Sequence, residues 1–372
     1  MEGRAMNKRN RTELSASGAR DSNIRERDPF FDNARFILVA LVVLGHLVSP
    51  IRESSEALFF ANNFLASFRM PALILITGYF TKHFYRDKER FMKRITLGIL
   101  VPYLVFQSFY LWMLGLARTL PELALNLFAP SFGMWFLLSL LAWNLLLFPF
   151  SKLKHPILMS FFIAIGIGWI DQAGEFLSIS RTFAFFPLFL AGHYVKKEHV
   201  DWFKTGKAKA ASMCSIAASM LILSAFSLEQ ARDALLARHP YAEIAGSGLE
   251  GTWLRLVFYV IMILGIFAFL PWIPKRKMPF TYLGRRTAYI YVLHLFFINL
   301  FTLLELFPEE LGWSFYIALP VVWLAIVFLV SSAPVIFFAK PLVEGKIAMP
   351  VLREAAHGIK SFGHSGRLAD RK

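Results

Sequence analysis

Cysteine is nearly absent. Cys214 is the only one in 372 residues, which rules out a disulfide framework, a zinc cluster and a CxxC redox pair. Standing alone in an apolar stretch, it reads as a small core residue. Charge is scarce as well, at 17% of the chain against roughly a quarter in a soluble domain. The sequence also lacks a GxxxxGK[ST] loop, an HExxH pair, a GxSxG elbow and any metal-ligand cluster. ATP-driven transport and metal-dependent hydrolysis are therefore without support.

Apolar residues are what the chain has instead. Hydrophobic residues make up 56% of it, with 39 Phe, 11 Tyr and 9 Trp, and the mean hydropathy is +0.52. A soluble enzyme, a coiled coil and a disordered scaffold are all excluded. The composition is that of an all-α, multi-pass membrane protein.

Residues 1–33 are polar and mixed in charge, without the apolar core and cleavage site of a signal peptide; they read as a disordered cytoplasmic arm. Residues 34–340 form the membrane domain, and 341–372 a polar cytoplasmic tail. Apolar runs fall at 36–51, 57–80, 95–117, 131–150, 157–170, 182–195, 210–228, 252–273, 287–307 and 313–338. Each approaches the ~20 residues that a tilted helix needs to cross the bilayer, so about ten transmembrane helices are expected. With the amino terminus inside, the inner loops 81–94, 151–156, 196–209 and 273–286 hold eighteen Lys/Arg, against four in the outer loops (Arg52, Arg118, Arg232 and Arg238). That is a strong positive-inside bias and puts both termini in the cytoplasm. The net charge of +15 therefore needs no nucleic-acid partner.

Ionisable residues inside spans are costly, by about 2.5–3.5 kcal/mol on insertion scales, and mark candidate sites. Arg35 and His46 lie eleven residues apart with only apolar residues and Gly between them. At 100° per residue they share a helical face, separated by about 16 Å along the axis. A snorkelling Arg and a packing His are the bland alternative. Arg69 lies deep in the second run beside Pro71, too deep to snorkel, and is read as facing a hydrated cavity or an anion. His294 follows Tyr291 by three residues on one helical face, with packing and catalytic roles both open. Arg181 and Arg255 lie near span ends, where snorkelling accounts for them. The aromatics, including Trp112, Trp135, Trp143, Trp253 and Trp313, read as interfacial belts and core.

These residues stand in blocks that resemble the acyltransferase 3 family of integral membrane acyltransferases, in particular its fucose 4-O-acetylase-like branch. FDNARFILVALVVLGH is similar to the first-span signature, an Arg followed by His, and SFRMPALILITGYF to the second-span block. KRITLGILVPYLVF, SFGMWFLLSLLAW, RTFAFFPLFLAGHYVKK and LGRRTAYIYVLHLFF are similar to later blocks, in family order. Two departures stand out. Arg69 occupies a position where the family pattern has His, and the basic run before the third span reads Arg90-Phe91-Met92-Lys93-Arg94 rather than Arg-x-x-Arg.

The resemblance implies an O-acyltransferase of the plasma membrane that takes acetyl from acetyl-CoA, without a metal, and modifies a hydroxyl of a carbohydrate or glycoconjugate. Polysaccharide-synthesis enzymes are the implied partners. His46 is the candidate general base and Arg35 the group that positions the donor. Arg69, Arg90, Lys93 and Arg94 are the cationic candidates for holding the donor, and Arg69 also for stabilising an oxyanion. Trp135, Tyr291 and His294 are candidate supporting residues. The rival reading is a polytopic transporter or flippase for a sugar-linked or anionic substrate, which buried arginines would also suit.

Overall fold

A computed structural model describes residues 27–350, apart from 83–87, 117, 118, 120, 121, 124, 125, 175, 309 and 349. Most of the expected amino-terminal arm and residues 351–372 of the tail lie outside the described residues. Regular structure among the described residues is helical. In chain order the helices are α1 (Pro29–Val48), α2 (Glu56–Tyr79), α3 (Lys88–Ile95), α4 (Val101–Met113), α5 (Trp135–Phe150), α6 (Pro156–Gly166) and α7 (Ile179–Tyr194). They continue with α8 (Lys197–Phe203), α9 (Gly206–Leu223), α10 (Leu228–Leu236), α11 (Tyr241–Ala245), α12 (Gly248–Phe269), α13 (Thr287–Leu303), α14 (Trp313–Val330) and α15 (Ala333–Val343).

Local chemistry sets the helix boundaries that matter for the site. α1 starts where Pro29 supplies a preset φ and the Asp28 side chain accepts from the Phe30 amide at 3.0 Å. Lys204 pairs with the same Asp28 and ties the loop after α8 to the start of α1. One turn in, buried Asn33 donates to the carbonyls of Pro274 (2.8 Å) and Arg276 (3.0 Å) and accepts from Thr281 (2.6 Å). The loop before α13 is thus clamped onto α1. Between α3 and α4, residues Thr96–Leu100 form a π-turn; Pro102 has no amide to continue the normal ladder there.

The bundle centres on α2, which packs against α1, α7 and α12, while α13 packs on α1. α2 and α7 meet backbone to backbone. A Cβ on Gly78 would lie 2.0 Å from the Phe189 carbonyl oxygen, and one on Gly192 2.0 Å from that of Leu75. Small residues permit such approach where no hydrophobic force separates helices from lipid. Tyr110 on α4 donates to the Val292 carbonyl (2.7 Å), and Trp323 on α14 to that of Ala40 (2.6 Å).

Six helical stretches are long and apolar enough to cross a membrane, or seven if the bent pair α9–α10, with its 115° bend, counts as one span. The other apolar runs form shorter helices. The expected tenth run, 313–338, is in fact two helices. α14 ends at Val330 because Ser331 and Ser332 interrupt it: Arg286 donates to the Ser331 carbonyl (2.6 Å), and Ser332 precedes Pro334 at the start of α15. Cys214 is exposed rather than in the core, and Arg255 does not snorkel but is buried at 2% exposure. Trp143 is core, whereas Trp112, Trp253 and Trp313 are exposed, as belt residues are.

Candidate active site

A cavity of about 360 Å³ opens among α1, α2, the α3–α4 junction, α5 and α13. Arg35 and Arg94 line it at the end of the bundle where α1 begins, and Tyr291 and Phe136 line it at depth. The π-turn leaves Gly98 and Ile99 on its wall, and Asn144 and Thr77 add polar groups. The Arg35 guanidinium sits over the Phe80 ring at 3.9 Å from its centre, a cation–π contact that holds the plane of its fork.

Tyr291 links this cavity to a cluster of buried polar groups. Its hydroxyl donates to the Gly133 carbonyl at 2.6 Å, and its ring centre lies 6.0 Å from that of His294. His294 is wholly buried. Its Nδ1 is 2.9 Å from the Ile290 carbonyl oxygen, which assigns the proton to Nδ1 and leaves Nε2 with a lone pair. That Nε2 has no hydrogen-bond partner among the described residues. The His46 ring lies 5.4 Å from the His294 ring. A Cβ built on Gly133 would stand 3.5 Å from His46 Nε2 and 3.4 Å from the Tyr291 hydroxyl, in ordinary van der Waals contact with both.

A cation lies against the residue before His46. The Arg69 guanidinium lies against the Gly45 backbone, where an added Cβ would fall 1.5 Å from Nη1, and Nη1 donates to Asn62 Oδ1 at 3.0 Å. Arg181 lies 5.1 Å from the centre of the Trp135 ring.

The residues singled out from the sequence therefore divide into two groups. Arg35, Arg94 and Tyr291 line the cavity, while His46, Arg69, Trp135 and His294 do not. Arg90 and Lys93 do not line the cavity, and of the basic run only Arg94 does. Arg69 stands beside His46 rather than among the groups at the cavity's basic end. Sequence reasoning missed Arg181, because snorkelling explains any Arg near a span end, and it missed Asn62, which reads as an ordinary polar residue. It also missed Gly45, whose meaning lies in the guanidinium that approaches it. Arg255 was misread. Its three guanidinium nitrogens have no hydrogen-bond partner among the described residues, and it sits 5.4 Å from the centre of the Tyr241 ring.

A guanidinium-lined cavity leading to a pair of histidines is an arrangement suited to moving an acyl group from an anionic carrier. The family comparison points the same way. A family model described as an acyltransferase domain matches residues 28–339 of the chain. No curated protein and no solved structure matches it. The match covers all the described helices up to α15, and it sets aside the transporter reading: the chain belongs to the acyltransferase 3 family and is a membrane acyltransferase.

Proposed function

We propose that the protein moves acetyl from acetyl-CoA to a hydroxyl of a carbohydrate or glycoconjugate at the cell membrane. The observation that carries this reading is the cavity running from Arg35 and Arg94 to Tyr291, with His294 and His46 beyond. At about 360 Å³ it is small for a whole cofactor but in the range of ligand pockets, about 300–1,000 Å³. It suits the pantetheine arm, with the nucleotide and its phosphates left at the basic end. Arg35 and Arg94 would hold phosphate there, since a guanidinium fork matches it. Amide groups of the arm would meet Asn144 and Thr77.

A sugar hydroxyl ionises far above neutral pH, so its proton must leave as it attacks the thioester. In this account His46 takes that proton while the hydroxyl oxygen bonds to the acetyl carbon. The tetrahedral oxyanion collapses and breaks the carbon–sulfur bond, and CoA leaves as the thiolate, which then takes up a proton. Arg69 would offset the oxyanion's charge. Enzymes of polysaccharide synthesis are the neighbours such an activity calls for.

The test is thiol release. Purified protein given acetyl-CoA and a sugar acceptor is expected to liberate free CoA and acetylate the sugar. Thiol release without sugar acetylation, or none at all, would overturn the reading.

A further inference from the structure

On the other face of α2 from the candidate active site lies a second cavity, of about 420 Å³. The two share no lining residue. Leu73 and Thr77 of α2 face the first, whereas Leu75, Ile76 and Tyr79 face the second. Apart from two tyrosines and the exposed His199, the second lining is aliphatic, aromatic or Pro. The hydroxyl of one of them, Tyr259, is already committed to the Ala184 carbonyl. A sugar or a phosphate would be stripped of water here without compensating hydrogen bonds, so the cavity suits a hydrocarbon chain.

Its shape and depth match one leaflet of a bilayer. Phe30, Leu188 and Leu270 form a buried wall, while Ile157, Ile263 and Phe267 are lining residues exposed on the outside of the bundle. The cavity therefore opens sideways between α6 and α12, where a membrane protein meets lipid. Its lining runs from Tyr259 to Leu270, just past the end of α12, about 16 Å of helix and half of the ~30 Å hydrocarbon core. α8 crosses its mouth: Val200 is buried against it, and the Phe203 ring packs on that of Phe267 with centres 5.2 Å apart. Trp202 and Trp272 are exposed beside the mouth, as residues at the level of lipid headgroups are.

Charge at the mouth selects the headgroup. The stretch 196–209 carries Lys196, Lys197, Lys204, Lys207 and Lys209 against Glu198 and Asp201. Lys204 stands over the Phe30 ring (5.2 Å) and Lys209 over that of Trp272 (5.4 Å), which places this charge at the cavity's end. Asp28 and Asp201 take up Lys204, and Asp201 also Lys197. Lys196, Lys207 and Lys209 are exposed and make no ion pair among the described residues. On the positive-inside reading this end is cytoplasmic, the side on which basic segments attract anionic lipids.

We propose that this cavity is a lipid site: it holds one acyl chain of an anionic phospholipid of the inner leaflet, whose headgroup lies on the lysines around α8. The proposal does not rest on the acetyl-transfer reading, and its test needs no turnover.

Phosphatidylglycerol and phosphatidylcholine with identical chains, each added to the full-length protein in mild detergent, provide the probes, and native mass spectrometry counts the bound lipid. Wild-type protein is expected to retain one phospholipid per chain, with at least a fivefold preference for phosphatidylglycerol. Ala191→Phe, which fills the cavity from α7, is expected to lose the lipid, whereas Ile317→Phe, on the exposed face of α14, keeps it. Should Ala191→Phe fail to fold, Ile263→Trp plugs the cavity from its exposed rim and decides in its place. Lys196→Gln/Lys207→Gln is expected to bring the headgroup ratio close to one while phosphatidylcholine binding holds. Failure to retain either lipid, full retention by a folded plugged variant, or equal binding of both headgroups by the wild type would overturn the proposal.

Discussion

His46 and His294 face each other from α1 and α13, with ring centres 5.4 Å apart. His294 is held by its bond to the Ile290 carbonyl, whereas His46 makes no side-chain hydrogen bond among the described residues and is half-buried. His46 is the proposed base because His294 is wholly buried and His46 is not. His46→Ala is expected to lower acetyl transfer by 10²–10⁴-fold, the range of a general base, with membrane insertion intact. If the two histidines act as a unit, His46→Ala/His294→Ala is no slower than His46→Ala alone, since effects within a catalytic unit do not add. A loss under about tenfold for His46→Ala would remove it from the role of base.

Arg35 tests the donor end. Its guanidinium plane is held over the Phe80 ring at 3.9 Å, a geometry that an ammonium does not reproduce at a bidentate site. Arg35→Lys is expected to raise the KM for acetyl-CoA several-fold or more, with a smaller change in kcat. Unchanged kinetics would reduce Arg35 to a positive anchor at the bilayer surface.

Gly45 offers a way to move Arg69 without mutating it. A methyl group on Gly45 would fall 1.5 Å from Arg69 Nη1 and 2.2 Å from its Cζ, so the guanidinium must leave its place beside His46. The displaced group is the end of a flexible side chain, and the helix is expected to survive. Gly45→Ala should therefore lose at least tenfold in kcat with little change in thermal stability. Normal turnover in a folded Gly45→Ala protein would show that the position of Arg69 is immaterial.

Gly78 predicts the opposite pattern. Its Cβ would meet the Phe189 carbonyl oxygen at 2.0 Å and His193 N at 3.2 Å, and backbone does not yield as a side-chain tip does. Gly78→Val is expected to push α2 from α7 and to destabilise the protein by about 1–3 kcal/mol or more, the range for overpacking. The readout is a lowered midpoint of thermal unfolding in detergent.

Much of this was legible in the sequence because it depends on local periodicity. The shared face of Arg35 and His46 follows from a spacing of eleven residues, and α1 does run unbroken from one to the other. The depth of Arg69 follows from its place in an apolar run. What was not legible depends on tertiary approach. Arg181 looks like any Arg at a span end until Ser180 binds Ala237 and sets it beside Arg238. Gly45 carries no local signal, since its role is the room it leaves for Arg69. The break at Ser331–Ser332 is lost in a hydropathy average, where two serines among valines and phenylalanines barely lower the mean.

With the donor proposed at one end of the bundle, the acceptor at the other and His46 between them, the most direct measurement is one of sidedness. Sealed inside-out vesicles carrying the protein would receive labelled acetyl-CoA outside, with the sugar acceptor enclosed in the lumen. The account predicts that luminal acceptor becomes acetylated while acetyl-CoA stays outside, and that His46→Ala abolishes the labelling. Labelling only when acceptor and donor share the outer solution would contradict it.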